Sequence, residues 1–288
     1  MTEAQATGTL YIVATPIGNK EDISYRALKT LAAVDLILAE DTRHSLPLLT
    51  SLGIKKPLQS LHAHNEQEKS QQVLAALKQG KHIALISDAG TPLISDPGYP
   101  LVRQAREHNI TITPIPGCCA LITALSAAGV PCDTFTFCGF LPAKQQARQK
   151  QLQHLKNIAH TLVFYESTHR IEDCINDIAF CFGEACELVL AKELTKTFEY
   201  FISGTPNEVQ SWLQAEAGRK KGEFVVILTP RTIKEEQQEE RILKLLLAEL
   251  PLKQAVSLAC QLTGMHKNTL YELALTIKKS LPRSDKAD

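Results

Sequence analysis

Three apolar, β-branched runs each end in a loop punctuated by proline and glycine, and this recurrence constrains the fold more than any other feature of the chain. Tyr11-Ile12-Val13-Ala14 leads into Thr15-Pro16-Ile17-Gly18-Asn19. Ile83-Ala84-Leu85-Ile86 leads into Ser87-Asp88-Ala89-Gly90-Thr91-Pro92, with Ser95-Asp96-Pro97-Gly98 just beyond. Ile110-Thr111-Ile112-Thr113 leads into Pro114-Ile115-Pro116-Gly117-Cys118-Cys119-Ala120. Short apolar runs followed by helical periodicity read as strands of a buried parallel or mixed sheet. Small molecules bind such sheets beyond the carboxyl ends of the strands. Three Gly/Pro loops at three such ends form a candidate binding rim.

From residue 8 to about 115 the alternation continues, with strands expected at 9–14, 34–39, 57–61, 82–87 and 110–115 and helices between them. That pattern is an α/β domain with a mostly parallel sheet. A helix is expected over Ala120–Ala128, and Gly129-Val130-Pro131 breaks it. Strand-like runs then recur at 134–138, 161–165, 187–191, 197–203 and 223–228. This second sheet is expected to be mixed, because 187–191 and 198–203 are too close for a helical crossover. After Thr229-Pro230-Arg231 the chain reads as helix only, over 232–249, 252–262 and 268–279, with Glu235, Glu236, Glu239 and Glu240 early in the first helix, where acids suit the dipole. The turn Thr263-Gly264-Met265 makes the last two a helix-turn-helix-like pair. The expected organisation is an α/β domain over 1–120, a second over 121–230 and a helical appendage over 231–288.

Charge and motifs exclude several classes. Lysine plus arginine equal aspartate plus glutamate, 31 against 31, so nucleic-acid binding would have to rest on local patches. No apolar stretch approaches a membrane span, and Met1-Thr2-Glu3-Ala4-Gln5 does not open a signal peptide. The eight cysteines include no C-x-x-C pair, so no metal site is expected. They read as small buried hydrophobes in a reducing cytoplasm. The chain lacks G-x-G-x-x-G, a Walker loop, G-x-S-x-G and H-E-x-x-H, which sets aside ordinary dinucleotide binding and P-loop phosphoryl transfer.

Six blocks occur in a telling order: Thr15–Asn19, Glu40-Asp41-Thr42-Arg43, Ser87–Gly98, Ile115-Pro116-Gly117, Tyr165-Glu166-Ser167-x-His169-Arg170 and Lys192-Glu193-Leu194-Thr195-Lys196. Over residues 8–230 the chain thereby resembles the tetrapyrrole-methylase superfamily of S-adenosylmethionine enzymes. Within it, the chain is similar to the bacterial branch that methylates a cytidine ribose 2′-hydroxyl of 16S ribosomal RNA near the decoding centre. The resemblance implies two α/β domains with a cofactor cleft between them and S-adenosylmethionine as the cofactor. It also implies the small ribosomal subunit as partner, a cytoplasmic homodimer and no membrane association. It places cofactor contacts on Pro16, Asp88, Thr91, Pro116, Cys118, Ala120, Tyr165, Ala191, Gly222 and Glu223. Many relatives carry Gly-Asp-Pro where this chain has Ser87-Asp88-Ala89, and small hydroxyl residues where it has Cys118-Cys119.

The residues themselves leave alternatives open. Asp88 at a strand end either meets a ribose or an ammonium group, or stabilises its own turn. Pro116-Gly117 either lets a ligand approach the backbone or caps a helix. Gly222 is equally a turn before a strand. For transfer to a hydroxyl, Glu40 and Asp41 are the carboxylates that could orient or deprotonate the acceptor, and Arg43 the fork for a phosphate. A structural ion pair is the competing account. His62, His64, Lys192, Glu193 and Lys196 carry less information. Basic patches occur at Lys144, Arg148, Lys150 and Lys156, at Arg219-Lys220-Lys221, and between Lys253 and Arg283, where Glu272 is the lone acid. Two other functions fit the chain less well. A tetrapyrrole methylase has less need of the appendage, and a ligand-sensing helix-turn-helix regulator would need basic residues that Asn268–Leu275 lacks.

Overall fold

A computed structural model describes residues 7–183, 186–230 and 235–280. The first sheet is built from β1 (Thr9–Val13), β2 (Leu36–Ala39), β3 (Leu58–Ser60), β4 (Ile83–Ile86) and β5 (Thr111–Ile115). It is wholly parallel, in the order β3-β2-β4-β1-β5. Helices α1 (Tyr25–Ala33), α2 (Thr42–Ser51), α3 (Glu66–Lys78) and α4 (Tyr99–Glu107) cover its two faces. Ile83 and Leu85 pack with Leu101 and Ala105 of α4, whereas Ala84 and Ile86 pack with Ala27 and Leu31 of α1. A strand buried on both sides has no polar alternation, which is why Ile83–Ile86 is continuously apolar.

The chain leaves β1 for α1 on one face and leaves its neighbour β4 for α4 on the other. Adjacent strands whose connections diverge to opposite faces open a crevice at their carboxyl ends. Two of the three Gly/Pro loops begin there.

Helix α5 (Ala120–Ala128) follows β5 and ends at Gly129, which is left-handed at φ 68°. The second sheet contains β6 (Phe135–Phe140), β7 (Thr161–Ser167), β8 (Glu187–Lys192), β9 (Tyr200–Gly204) and β10 (Glu223–Thr229). Its order is β6-β7-β10-β8-β9, with only β6 and β7 parallel. The mixed sheet expected from the short 191–198 connection is present, with β8 and β9 antiparallel. One face carries α6 (Gln145–Leu155), α7 (Ile171–Phe182) and α8 (Pro206–Ala215) over Phe164, Leu190 and Val226. The other face takes Leu121, Ala124 and Leu125 of α5, together with Ile17 from the loop after β1. Helix α5 thus joins the two sheets through apolar burial. Helix α8 starts in a full capping box between Thr205 and Glu208 with Pro206 in its first turn, which supplies partners for N–H groups that a helix start otherwise leaves free.

Residues 1–230 form one compact unit and 231–288 another. The second contains α9 (Glu235–Glu249), α10 (Leu252–Thr263) and α11 (Lys267–Ser280), packed around Leu243, Val256, Leu270 and Ala274. Gly264 turns the chain between α10 and α11 at φ 73°. Side chains of the early glutamates of α9, as well as Arg283 and the opening Met1–Gln5, lie outside the described residues. No helix among the described residues is long and apolar enough to cross a membrane.

Two basic patches differ from expectation. Arg148 is buried against Asp177 at 2.6 Å, so it does not belong to a solvated basic face. Arg219 lies over the Trp212 ring and pairs with Glu216, while Lys220 pairs with Glu172 at 2.9 Å. Both runs contain cations already committed to local partners.

Candidate active site

The crevice after β1 and β4 opens into a cavity of about 320 Å³ within the first unit. From the first sheet it takes Ile17 and the loop from Asp88 to Asp96. Cys119 and Ala120 at the start of α5 form one wall. The second sheet adds Phe140, Tyr165-Glu166-Ser167, Ala191, Leu194 and Glu223-Phe224-Val225. Its charged lining residues are Asp88, Asp96, Glu166 and Glu223, with no lysine, arginine or histidine among the described residues that line it. Arg170 and Lys196 pair with Glu166 and Glu223 from outside the lining, so the charge that favours a cation comes from Asp88 and Asp96.

Backbone ties hold the loop after β4 in place. Thr15 and Gly90 exchange both backbone hydrogen bonds, at 2.8 and 3.0 Å. The Thr91 hydroxyl donates to the Cys118 carbonyl at 2.9 Å, and Gly98 N–H donates to Glu66 Oε2 at 2.9 Å. Between these ties Leu93 and Ser95 are left-handed, at φ 72° and 71°. Each such non-glycine position costs about 1 kcal/mol or more and persists only where the surroundings over-determine it. At Gly117 a Cβ would come within 2.8 Å of the Ala14 Cβ, so only glycine lets the β5–α5 turn pass over the end of β1.

Of the residues singled out from sequence for cofactor contact, Asp88, Thr91, Ala120, Tyr165, Ala191 and Glu223 reach the cavity. Pro16, Pro116, Cys118 and Gly222 do not line it. Pro16 is buried between Thr15 and the lining Ile17, and Pro116 is exposed. The Cys118 thiol donates to the Asp22 carbonyl at 3.3 Å, leaving Cys119 to face the cavity. Gly222 is tied through both its N–H and its carbonyl to the Thr168 hydroxyl, at 2.7 and 2.9 Å.

Glu40, Asp41 and Arg43 also stand outside the lining. Asp41 caps α2 and is gripped by Arg43, whose Nη2 lies 2.6 Å from Asp41 Oδ2. The Arg43 hydrogen bonds hold the Asp41 carboxyl well below the usual range. Glu40 is pushed up by burial and by the charges of Asp88 and Asp41, with His62 opposing. The set meets the cavity through Asp88, whose Oδ1 accepts from Asp41 N–H at 3.1 Å and whose Oδ2 faces His44 Nδ1 at 3.4 Å. His62 and His64 make an edge contact, with ring centroids 6.0 Å apart. Lys192 is buried, and Lys196 bridges Glu193 and Glu223 at 2.9 and 2.8 Å.

Sequence reasoning missed Asp96 and Phe140 as lining groups. Phe140 arrives through a β-bulge between Phe137 and Phe140 with Gly139 at φ 62°, and such a bulge re-aims a side chain. Phe137 and Phe140 both meet the Tyr165 ring edge-on, with centroids 4.8 and 5.7 Å away. Glu166 is fully buried and paired with Arg170 at 3.2 Å. Burial raises the Tyr165 hydroxyl, which accepts from Leu121 N–H at 3.1 Å. No cluster of three His, Cys, Asp or Glu side chains suited to a metal occurs among the described residues.

The sequence profile described as Tetrapyrrole (Corrin/Porphyrin) Methylases matches residues 9–210. The chain belongs to this family. A second profile, described as RsmI C-terminal HTH domain, matches residues 234–278. A Haemophilus influenzae protein named "Ribosomal RNA small subunit methyltransferase I" is 52% identical over 274 residues, covering 93% of this chain and 97% of that protein. The fold is also that of two solved structures of low identity. Diphthine synthase aligns at TM-score 0.62 and 13% identity, over 78% of this chain and 91% of its own. Uroporphyrin-III C-methyltransferase from Thermus thermophilus, complexed with S-adenyl homocysteine, aligns at TM-score 0.52 and 16% identity, over 77% and 97%.

Proposed function

We propose that this protein transfers a methyl group from S-adenosylmethionine to 16S ribosomal RNA of the small ribosomal subunit, at a cytidine ribose 2′-hydroxyl near the decoding centre. The observation that carries the reading is the acid-lined, base-free cavity at the β1/β4 crevice. Its charge suits a sulfonium cation. When bound, S-adenosylmethionine supplies an activated methyl group. Asp88, Thr91, Ala120, Tyr165, Ala191 and Glu223 would hold it. The same field disfavours the demethylated product, which has lost the sulfonium charge, and so assists its release. Positioning of the acceptor beside the donor supplies much of the acceleration.

The rim outside the cavity would meet the RNA. Arg43 is 87% exposed and its partner Asp41 belongs to a surface pair, which is worth little in water. Its planar guanidinium is therefore available to a phosphate, with Glu40 and Asp41 beside the acceptor. The homology to a small-subunit ribosomal RNA methyltransferase supports RNA over a tetrapyrrole, as does the C-terminal unit matching the HTH profile. The reading takes the protein to be a cytoplasmic homodimer.

Incubation with small ribosomal subunits from cells lacking the protein tests it. The expected result is one new 2′-O-methyl cytidine by nucleotide-resolution mapping. Absence of methyl transfer to the subunit, with transfer to a tetrapyrrole instead, would overturn the RNA assignment.

A chain ending at Pro230 probes the second unit. Lys253, Lys267 and Lys278 are exposed there. Each sheet of the first unit has its own core, so the truncated protein is expected to bind cofactor normally. Its RNA affinity is expected to fall by about tenfold or more, with the salt slope flattened by roughly 2–3. Filter binding across a salt series checks this, and unchanged affinity and slope would contradict it.

A further inference from the structure

Four carboxylates line the cavity, and three of them are already engaged. Asp88 accepts from Asp41 N–H and faces His44. Glu166 is held by Arg170 and accepts from Ser167 N–H at 2.9 Å. Glu223 is mostly exposed, and its Oε2 pairs with Lys196. Asp96 differs: among the described residues no cation or backbone N–H holds its carboxylate, and its polar neighbour is the Ser87 hydroxyl. It follows Ser95, one of the two left-handed non-glycine residues of the β4–α4 loop. A Cβ at Gly139 of the bulged β6 would stand 3.2 Å from the Ser95 hydroxyl. The bulge thus lies over the loop at that point, with Phe140 also lining the cavity. A strained, multiply tied loop that presents an unengaged carboxylate to a cavity is the kind of backbone outlier from which function is inferred.

We propose that Asp96 is the catalytic base that receives the proton of the RNA hydroxyl during methyl transfer. The inference rests on the methyl-transfer reading and assigns a role within it that the sequence had given to Glu40 and Asp41. As the hydroxyl oxygen bonds to the methyl carbon, the carbon–sulfur bond breaks and its electron pair stays on sulfur. The O–H proton passes to an Asp96 carboxylate oxygen, which later releases it to water. Asp41 is a poor choice for this task, because it stands outside the cavity lining and its Oδ1 caps α2 by accepting from Arg43 N–H.

The surroundings also tune the group. Burial raises the Asp96 carboxyl to about 6, with the charges of Glu40 and Asp88 adding to the rise and the Ser87 hydroxyl opposing it. Tyr165, across the cavity on β7, is raised in part by Asp96 itself. A base whose acidity lies near working pH combines a large ionised fraction with useful basicity.

Asp96→Asn preserves shape and removes the base. Single-turnover methylation of small subunits at saturating cofactor is expected to slow by about 10²–10⁴-fold. The wild-type rate is expected to fall as pH drops through about 6, and the variant to lose that inflection. Asp96→Glu is expected to recover part of the rate. A readout independent of turnover is thermal melting. The folded carboxyl is raised, so its ionisation destabilises the folded state as pH rises from the unfolded value through about 6. Asp96→Asn is therefore expected to melt higher than wild type above about pH 7 and equally near pH 4. Calorimetry is expected to show that Asp96→Asn still binds S-adenosylmethionine, with at most a modest loss from the missing charge, so that a slow rate at saturating cofactor is not a loss of binding. Wild-type rate or a retained inflection in a folded Asp96→Asn protein would overturn the assignment. If wild type itself failed to methylate the subunit, the functional reading would fall instead.

Discussion

Asp177→Ala is expected to lower folding stability by about 3–5 kcal/mol, the usual consequence of leaving one partner of a buried ion pair alone. The side chains of Arg148 and Asp177 are 3% and 2% exposed. Arg148 Nε donates to Asp177 Oδ2 at 2.6 Å, and Gln149 and Gln145 donate to Oδ1 at 2.7 and 3.2 Å. Arg148 Nη1 reaches the carbonyls of Ala143 and Pro142 at 3.2 and 3.4 Å. Removing the acid strands a guanidinium away from water, with two carbonyls as its only other acceptors among the described residues. The double replacement Arg148→Met with Asp177→Leu is expected to recover most of the loss, because the two charges then disappear together. Urea unfolding checks both. The transition midpoint should move without a change in slope, and a loss below about 1 kcal/mol in Asp177→Ala would mean that water reaches the pair.

That pair also shows where sequence reading stops. Helix α6 contains Arg148, Lys150 and several glutamines without an acid, which is the composition of a solvated face. The compensating aspartate lies 29 residues away on α7, and no local pattern announces it. The strands were legible for the opposite reason. Ile83–Ile86 and Leu162–Phe164 are buried on both faces, so an uninterrupted apolar run follows from packing alone. The crevice was legible because a proline- or glycine-rich loop at a strand end is local information. That is how Asp88 and Thr91 were found. Cys118 against Cys119 is a matter of one residue's phase in a turn, which hydrogen bonding to Asp22 decides. Asp96 and Phe140 depend on two left-handed residues and a bulge. Those are properties of the folded backbone that Leu93, Ser95 and Phe137 do not encode individually.

Asp88→Ala is expected to weaken S-adenosylmethionine binding by about 10- to 150-fold, the factor equivalent to a charge-assisted hydrogen bond of about 1.5–3 kcal/mol. One Asp88 oxygen accepts from Asp41 N–H and the other faces His44 at 3.4 Å. A carboxylate oxygen has lone pairs beyond these, and the residue lines the cavity. Asp88→Asn separates charge from shape. It is expected to weaken the donor more than the demethylated product, because only the donor carries the sulfonium that the lost carboxylate charge attracts. Asp41→Asn serves as the control, since Asp41 contacts the cavity only through Asp88 and is expected to leave cofactor affinity within about twofold. Isothermal titration of both ligands against the three variants measures each term. Equal donor affinity in Asp88→Ala and wild type would remove Asp88 from the cofactor site. A parallel loss for donor and product in Asp88→Asn would show that the carboxylate acts by hydrogen bonding, and that discrimination between the two rests on Asp96, Glu166 and Glu223.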